Sequence, residues 1–138
     1  MMVETTLTVE LRASADAVWR LIGGFNSLPD WQPAVTESRL EDAGRVRRLT
    51  MADGNTILQT LLWRRDQDRA YSYTMDKSHL PVAGYVSTLS VVEEAGGGAC
   101  SIEWTSTFEP VGCSADEARK VIEDIHGRGL DHLKSLFG

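Results

Sequence analysis

Apolar and polar positions alternate from the start of the chain. Val3, Leu7, Val9 and Leu11 share one parity; Glu4, Thr6, Thr8, Glu10 and Arg12 share the other. That period predicts a half-buried strand over 3–12. Ser14 is placed to cap a short helix over 15–22, with Val18, Trp19 and Ile22 on one face and Gly23-Gly24 as its stop. Pro29 and Pro33 bracket Trp31, so any helix there is limited to a single turn. Strands are expected over 35–41 and 45–51, around a turn at Gly44, and the Asp53-Gly54 hairpin signal leads into a longer one over 56–65. Asp66-Gln67-Asp68 turns the chain into a strand over 70–75, with Tyr71 and Tyr73 on one face. After a loop marked by Pro81, two more strands, 84–93 and 100–108, flank Gly96-Gly97-Gly98.

The period then changes to that of a helix. Ser114-Ala115-Asp116-Glu117 is a capping box, and Ala118, Ile122, Ile125, Gly129, Leu133 and Leu136 follow at steps of three and four. The pattern predicts a helix of about 22 residues, roughly 33 Å long. Strands joined by short turns pair antiparallel, and a sheet with one apolar face must cover it. Only the long helix is large enough. The expected architecture is α+β: a curved antiparallel seven-stranded sheet wrapped around a long C-terminal helix, with two short helices after strand 1.

The chain has 138 residues, which suits one domain, residues 1–138, with a sizeable core. A net charge of −6 argues against a non-specific nucleic-acid binder. There is no apolar run long enough to span a membrane and no secretory signal at the N-terminus, so the expected compartment is the cytoplasm. Cys100 and Cys113 form no CxxC and are read as idle thiols. His126 and His132 are six apart on a helix and point apart, and His79 is in a loop, so no metal site is expected. No cofactor motif is present, and the sequence is compatible with a homodimer. Arg45-Val46-Arg47-Arg48 reads as a solvated strand with one inward arginine.

The element order carries particular residues with it. These are Val18-Trp19 with Phe25, the segment Pro29 to Val35, Gly44 with Arg47, Asp53-Gly54, Leu80-Pro81 with Tyr85, Trp104, and Gly129-Leu130 with Leu133. Together, over nearly the whole chain, they resemble the START-like or Bet v 1-like superfamily (SRPBCC), and within it the polyketide cyclase/dehydrase family 2 proteins. The resemblance implies a helix-grip fold and a cavity between sheet and long helix. It implies a hydrophobic or amphipathic ligand, lipid- or polyketide-like, or else cyclisation or dehydration of a polyketide-like substrate. Two positions depart from the usual pattern. Gln32 stands where the Trp-Pro segment often has His, and Gln59 near where the long strand often has Glu. Neither amide titrates near neutral pH, so neither can act as a general acid or base.

Candidate site residues follow from both readings. Ile57, Gln59, Leu61 and Trp63 share a face, which is either partly solvated or, as the resemblance favours, the cavity wall with Gln59 orienting a ligand. On the strand over 100–108, parity turns either Glu103 or Trp104 inward, and Trp inward is the usual arrangement. The resemblance instead places Glu103 in the cavity, as ligand anchor first and as the acid/base of the enzyme alternative second. Tyr85 is either half-buried packing or a ligand contact, with Ser87 on its face; Thr36 is a weaker candidate. Trp31 is expected to shape the cavity mouth, and Ser78-His79-Leu80-Pro81 to form a lid loop there. Val121, Ile125, Gly129 and Leu133 form a helix face that is either plain core or ligand-facing. Gly129 serves either to leave ligand room or to allow close packing. A third reading is an interaction module whose cavity is filled by its own side chains.

Overall fold

The computed structural model describes residues 2–138. Strand β1 (Val3–Leu11) leads through helix α1 (Ala15–Ile22) and one-turn helix α2 (Leu28–Trp31) into six strands. These are β2 (Val35–Glu41), β3 (Val46–Met51), β4 (Thr56–Arg65), β5 (Ala70–Lys77), β6 (Val82–Glu93) and β7 (Cys100–Pro110). Helix α3 (Ala115–Phe137) ends the chain.

The short turns after β2 force each strand back beside its predecessor, and β1 then pairs with β7. The sheet order is therefore β1-β7-β6-β5-β4-β3-β2, antiparallel throughout. Helices α1 and α2 link its two edges. Register shifts in the β2–β3, β4–β5 and β6–β7 pairs bend the sheet, since an extra residue on one strand increases local twist. Helix α3 lies on the inner face, packed chiefly along β1 and β7.

Local chemistry matches the pattern. Ser14 Oγ accepts from Ala17 N at 3.2 Å, and Ser114 and Glu117 close the expected capping box. Gly23 ends α1 beneath the Trp19 ring, where a Cβ would fall 2.6 Å from ring atoms. Trp19 Nε1 donates to Asp66 Oδ1 at 3.0 Å, which ties α1 to the turn before β5.

Two details differ from the sequence reading. Strands β5, β6 and β7 run two residues longer at one end than expected, because pairing continues to Val82↔Pro110 and Leu58↔Lys77. The expected lid is thus a four-residue connection, 78–81. On α3 the buried stripe is Ala118, Ile122, His126, Gly129, Leu130 and Leu133, whereas Leu136 is exposed. The helix turns His126 inward and Leu136 to solvent, while Phe137 packs against the core. Both cysteines are free, Cys100 being buried. No helix among the described residues is long and apolar enough to cross a membrane.

Candidate functional site

Inward positions of β3 to β7 face α3 across a narrow, partly open cavity. Its walls include Leu49, Ile57, Gln59, Tyr73, Tyr85 and Trp104 from the sheet, and Ile122, Ile125 and His126 from the helix. The space open to the centre of a water molecule is about 40 Å³. That holds a few waters and no more. A second, outward-facing basin of about 260 Å³ lies against it, lined by Ala52, Asp53, His79, Val121, Asp124 and Arg128 among others. Met51, Leu80 and Ile125 belong to both walls, so they are the partition between inner cavity and basin. The loop that carries Leu80 is pinned to the β3–β4 hairpin by His79 Nε2 and Asp53 Oδ2, 3.4 Å apart.

Two polar groups are built into this apolar interior. The first is His126. Its ring stacks on Trp104 with centroids 3.9 Å apart, and its Nε2 is hydrogen-bonded to Tyr85 Oη at 2.8 Å. Nδ1 is buried without a partner. Burial lowers the imidazole pKa to about 3, so the ring is neutral at ordinary pH. Burial likewise raises the phenol pKa of Tyr85, and pushes that of Tyr73 well up. Trp104 Nε1 donates to Tyr73 Oη at 3.1 Å, which fixes the indole beneath the imidazole.

The second is Arg47, which is fully buried and is the one arginine of the 45–48 segment that turns inward. Its Nε donates to Gln59 Oε1 at 2.8 Å; its Nη1 donates to the Phe25 carbonyl at 2.9 Å and to Tyr71 Oη at 3.3 Å. The guanidinium carbon sits 4.2 Å from the Phe25 ring centroid and 4.7 Å from that of Tyr73. Gln59 lines the cavity as the resemblance implies, but its carboxamide oxygen is committed to Arg47. Its NH₂ is what it can offer a ligand.

The structure brings together Ile57, Gln59, Tyr85, Leu80 and Ile125, and leaves other expected residues outside. Glu103 is exposed on the outer face of the sheet, opposite Thr8 and Ser90, while Trp104 points in. The usual burial preference was the sound guide there: burying Trp gains apolar area, and burying a carboxylate without a partner is strongly unfavourable. Thr36 is exposed, its hydroxyl donating to the Thr50 carbonyl at 3.1 Å. Ser87 is buried beyond the cavity wall and donates to the Thr105 carbonyl. Leu61 and Pro81 are half-buried and line neither space, and Val121 faces the outer basin.

Trp31 is buried against Trp104, with centroids 5.4 Å apart, rather than forming the mouth. Gly129 faces Trp31 and Gln32, not the cavity: a Cβ there would lie 2.8 Å from Gln32 Nε2 and 2.9 Å from Trp31 Cζ3. Its use is close packing. Gln32 holds the same contact, donating to the Ile125 carbonyl at 2.9 Å and accepting from Ala34 N at 3.1 Å. The sequence reading missed Leu49, Tyr73, Ile122 and, with the most consequence, His126 as site residues. The signal for His126 was its place four residues after Ile122 and three before Gly129, inside the apolar stripe. Among the described residues no three His, Cys, Asp or Glu side chains gather as metal ligands do.

A curved antiparallel sheet gripping a long C-terminal helix, with a cavity between them, is the START/Bet v 1 helix-grip class. The model of the family described as polyketide cyclase/dehydrase and lipid transport matches residues 2–138, and the chain belongs to that family. Among solved structures it is similar to the protein XoxI from Bacillus cereus, with 41% identity, a TM-score of 0.96, and 98% of this chain and 95% of that one covered. A START superfamily protein from Mycobacterium smegmatis shares 15% identity at a TM-score of 0.79, with 97% and 96% covered. The Zhui aromatase/cyclase from a Streptomyces species shares 18% at 0.78, with 98% and 93% covered. The last two likenesses concern the fold alone. Comparison with curated protein sequences finds no match.

Proposed function

We propose that this chain, as one binding unit over residues 1–138, takes up a hydrophobic or amphipathic small molecule in the cavity between sheet and α3. The observation that carries this is the partition. An inner apolar space with inward-facing Gln59, Tyr85 and His126 is separated from an open basin by three flexible or branched side chains, Met51, Leu80 and Ile125. Such walls move at little cost, whereas a plain core has no basin at its door. Buried hydrocarbon supplies the affinity, at about 25 cal/mol per Å² removed from water. The polar side chains fix the orientation. The inner space as it stands is too small for such a ligand, so uptake requires the partition of Met51, Leu80 and Ile125 to give way toward the basin.

The enzyme alternative, a cyclase or dehydratase on a polyketide-like substrate, passes from Glu103 to the Tyr85–His126 pair. It ranks second because an imidazole whose pKa is near 3 is a poor base at neutral pH.

Native mass spectrometry of the purified protein, before and after addition of decan-1-ol, tests the binding reading. A bound mass that is displaced in an Ile122→Trp variant supports it. A protein that carries nothing from its host and takes up neither decan-1-ol nor decanoate refutes it.

A further inference from the structure

We propose that the cavity ligand is an anion and that Arg47 is the anchor for its carboxylate; this rests on the binding reading above. Arg47 is a fully buried cation, and no carboxylate among the described residues pairs with it. A guanidinium does not shed its proton in proteins, so the charge stays. The rings of Phe25, Tyr73 and Tyr71, with centroids 4.2, 4.7 and 5.5 Å from its carbon, offset part of the lost hydration. They bring no countercharge. Buried charges are ordinarily paired, and this one is not.

The pattern of its donors says what would pair it. Nη1 is saturated by the Phe25 carbonyl and Tyr71 Oη. Nε and Nη2 form the other edge of the planar group, with two parallel N–H bonds. Nε donates to Gln59 Oε1, while Nη2 is buried with no partner. One neutral amide oxygen therefore occupies an edge whose geometry matches both oxygens of a carboxylate.

That edge adjoins the cavity. Gln59 and Tyr73 line the cavity and both touch Arg47, which puts the guanidinium directly behind the Gln59 carboxamide. The terminal torsion of Gln is soft. Rotation of the carboxamide opens Nε and Nη2 to a ligand carboxylate and turns the Gln59 NH₂ toward the same group. The ligand's hydrocarbon then lies between Leu49, Ile57 and Ile122. An alcohol offers one oxygen and no charge, so it gains little from this edge.

The test is the affinity ratio of decanoate to decan-1-ol, read by tryptophan fluorescence at about pH 7.5, for the wild type and for Gln59→Glu. The wild type should prefer decanoate roughly tenfold or more, since charge-assisted bidentate bonding is the stronger kind. Gln59→Glu sets a carboxylate of the protein's own on the open edge. The ratio should then fall to one or below, with a raised midpoint of thermal unfolding. Equal wild-type affinities overturn the anchor and leave the cavity reading standing. Binding of neither probe overturns both. The wild-type ratio decides the matter even where the variant fails to fold.

Discussion

The imidazole of His126 lies flat on the indole of Trp104, with ring centroids 3.9 Å apart and planes 5° from parallel. This contact fixes the ring from below while Tyr85 fixes its Nε2. Tyr85→Phe removes that hydrogen bond and leaves a buried nitrogen unsatisfied, at a cost of about 1–3 kcal/mol. If the bond is the coupling, adding His126→Leu to Tyr85→Phe should cost about 1 kcal/mol less than the two single changes summed. Urea unfolding of the four proteins checks it. Strict additivity would deny the bond any role in stability.

Acid should act through the same ring. Its pKa is about 3 in the folded protein against an ordinary 6.5. Between those values the unfolded chain binds the proton and the folded chain does not. Stability is therefore full above about pH 6.5 and falls with pH through the window, by up to about 1.4 kcal/mol per unit. By pH 4.5 the loss from this group is about 2–3 kcal/mol. His126→Gln carries no such group, so the stability gap between wild type and variant should narrow as pH falls. Parallel pH curves would show that the ring titrates normally.

Two glycines on α3 should respond oppositely to alanine. At Gly127 a Cβ meets nothing within 4 Å, so Gly127→Ala should stabilise by up to about 1 kcal/mol through helix propensity. At Gly129 the same Cβ would press on Gln32 and Trp31, so Gly129→Ala should destabilise by about 1–3 kcal/mol. Thermal unfolding of both variants checks the pair. A stabilised Gly129→Ala would mean that the helix does not sit this close to Gln32.

Glu103→Gln should change ligand affinity and stability by no more than about 0.5 kcal/mol, because the side chain stands in solvent on the outer face. Titration with decan-1-ol is sufficient to check it. A clear loss of affinity would return the carboxylate to the cavity.

Part of the cavity lining was readable in advance, and the rest depended on contacts between elements. Ile57 and Gln59 came from strand parity joined to the resemblance and Tyr85 from the resemblance, and all three line the cavity. Glu103 came from the resemblance against the usual burial of Trp over Glu, and it faces solvent. His126 was weighed only as a metal ligand, since a polar residue in an apolar stripe reads as a break in it. The Arg47–Gln59 bond joins β3 to β4, and which pairs of residues meet across strands depends on register, which Asp53-Gly54 alone does not set.

The sequence by itself determined the elements and their order. Alternation, turn glycines, prolines and the Ser114 capping box are local signals, and local backbone physics answers to them directly. Only the tertiary structure decided how α3 is rotated and how closely it approaches α2. That turned His126 onto Trp104, set Gly129 against Gln32, and reduced the cavity to about 40 Å³ behind Leu80. Those outcomes depend on side-chain volumes meeting across elements far apart in the chain. No single stretch of sequence contains both partners.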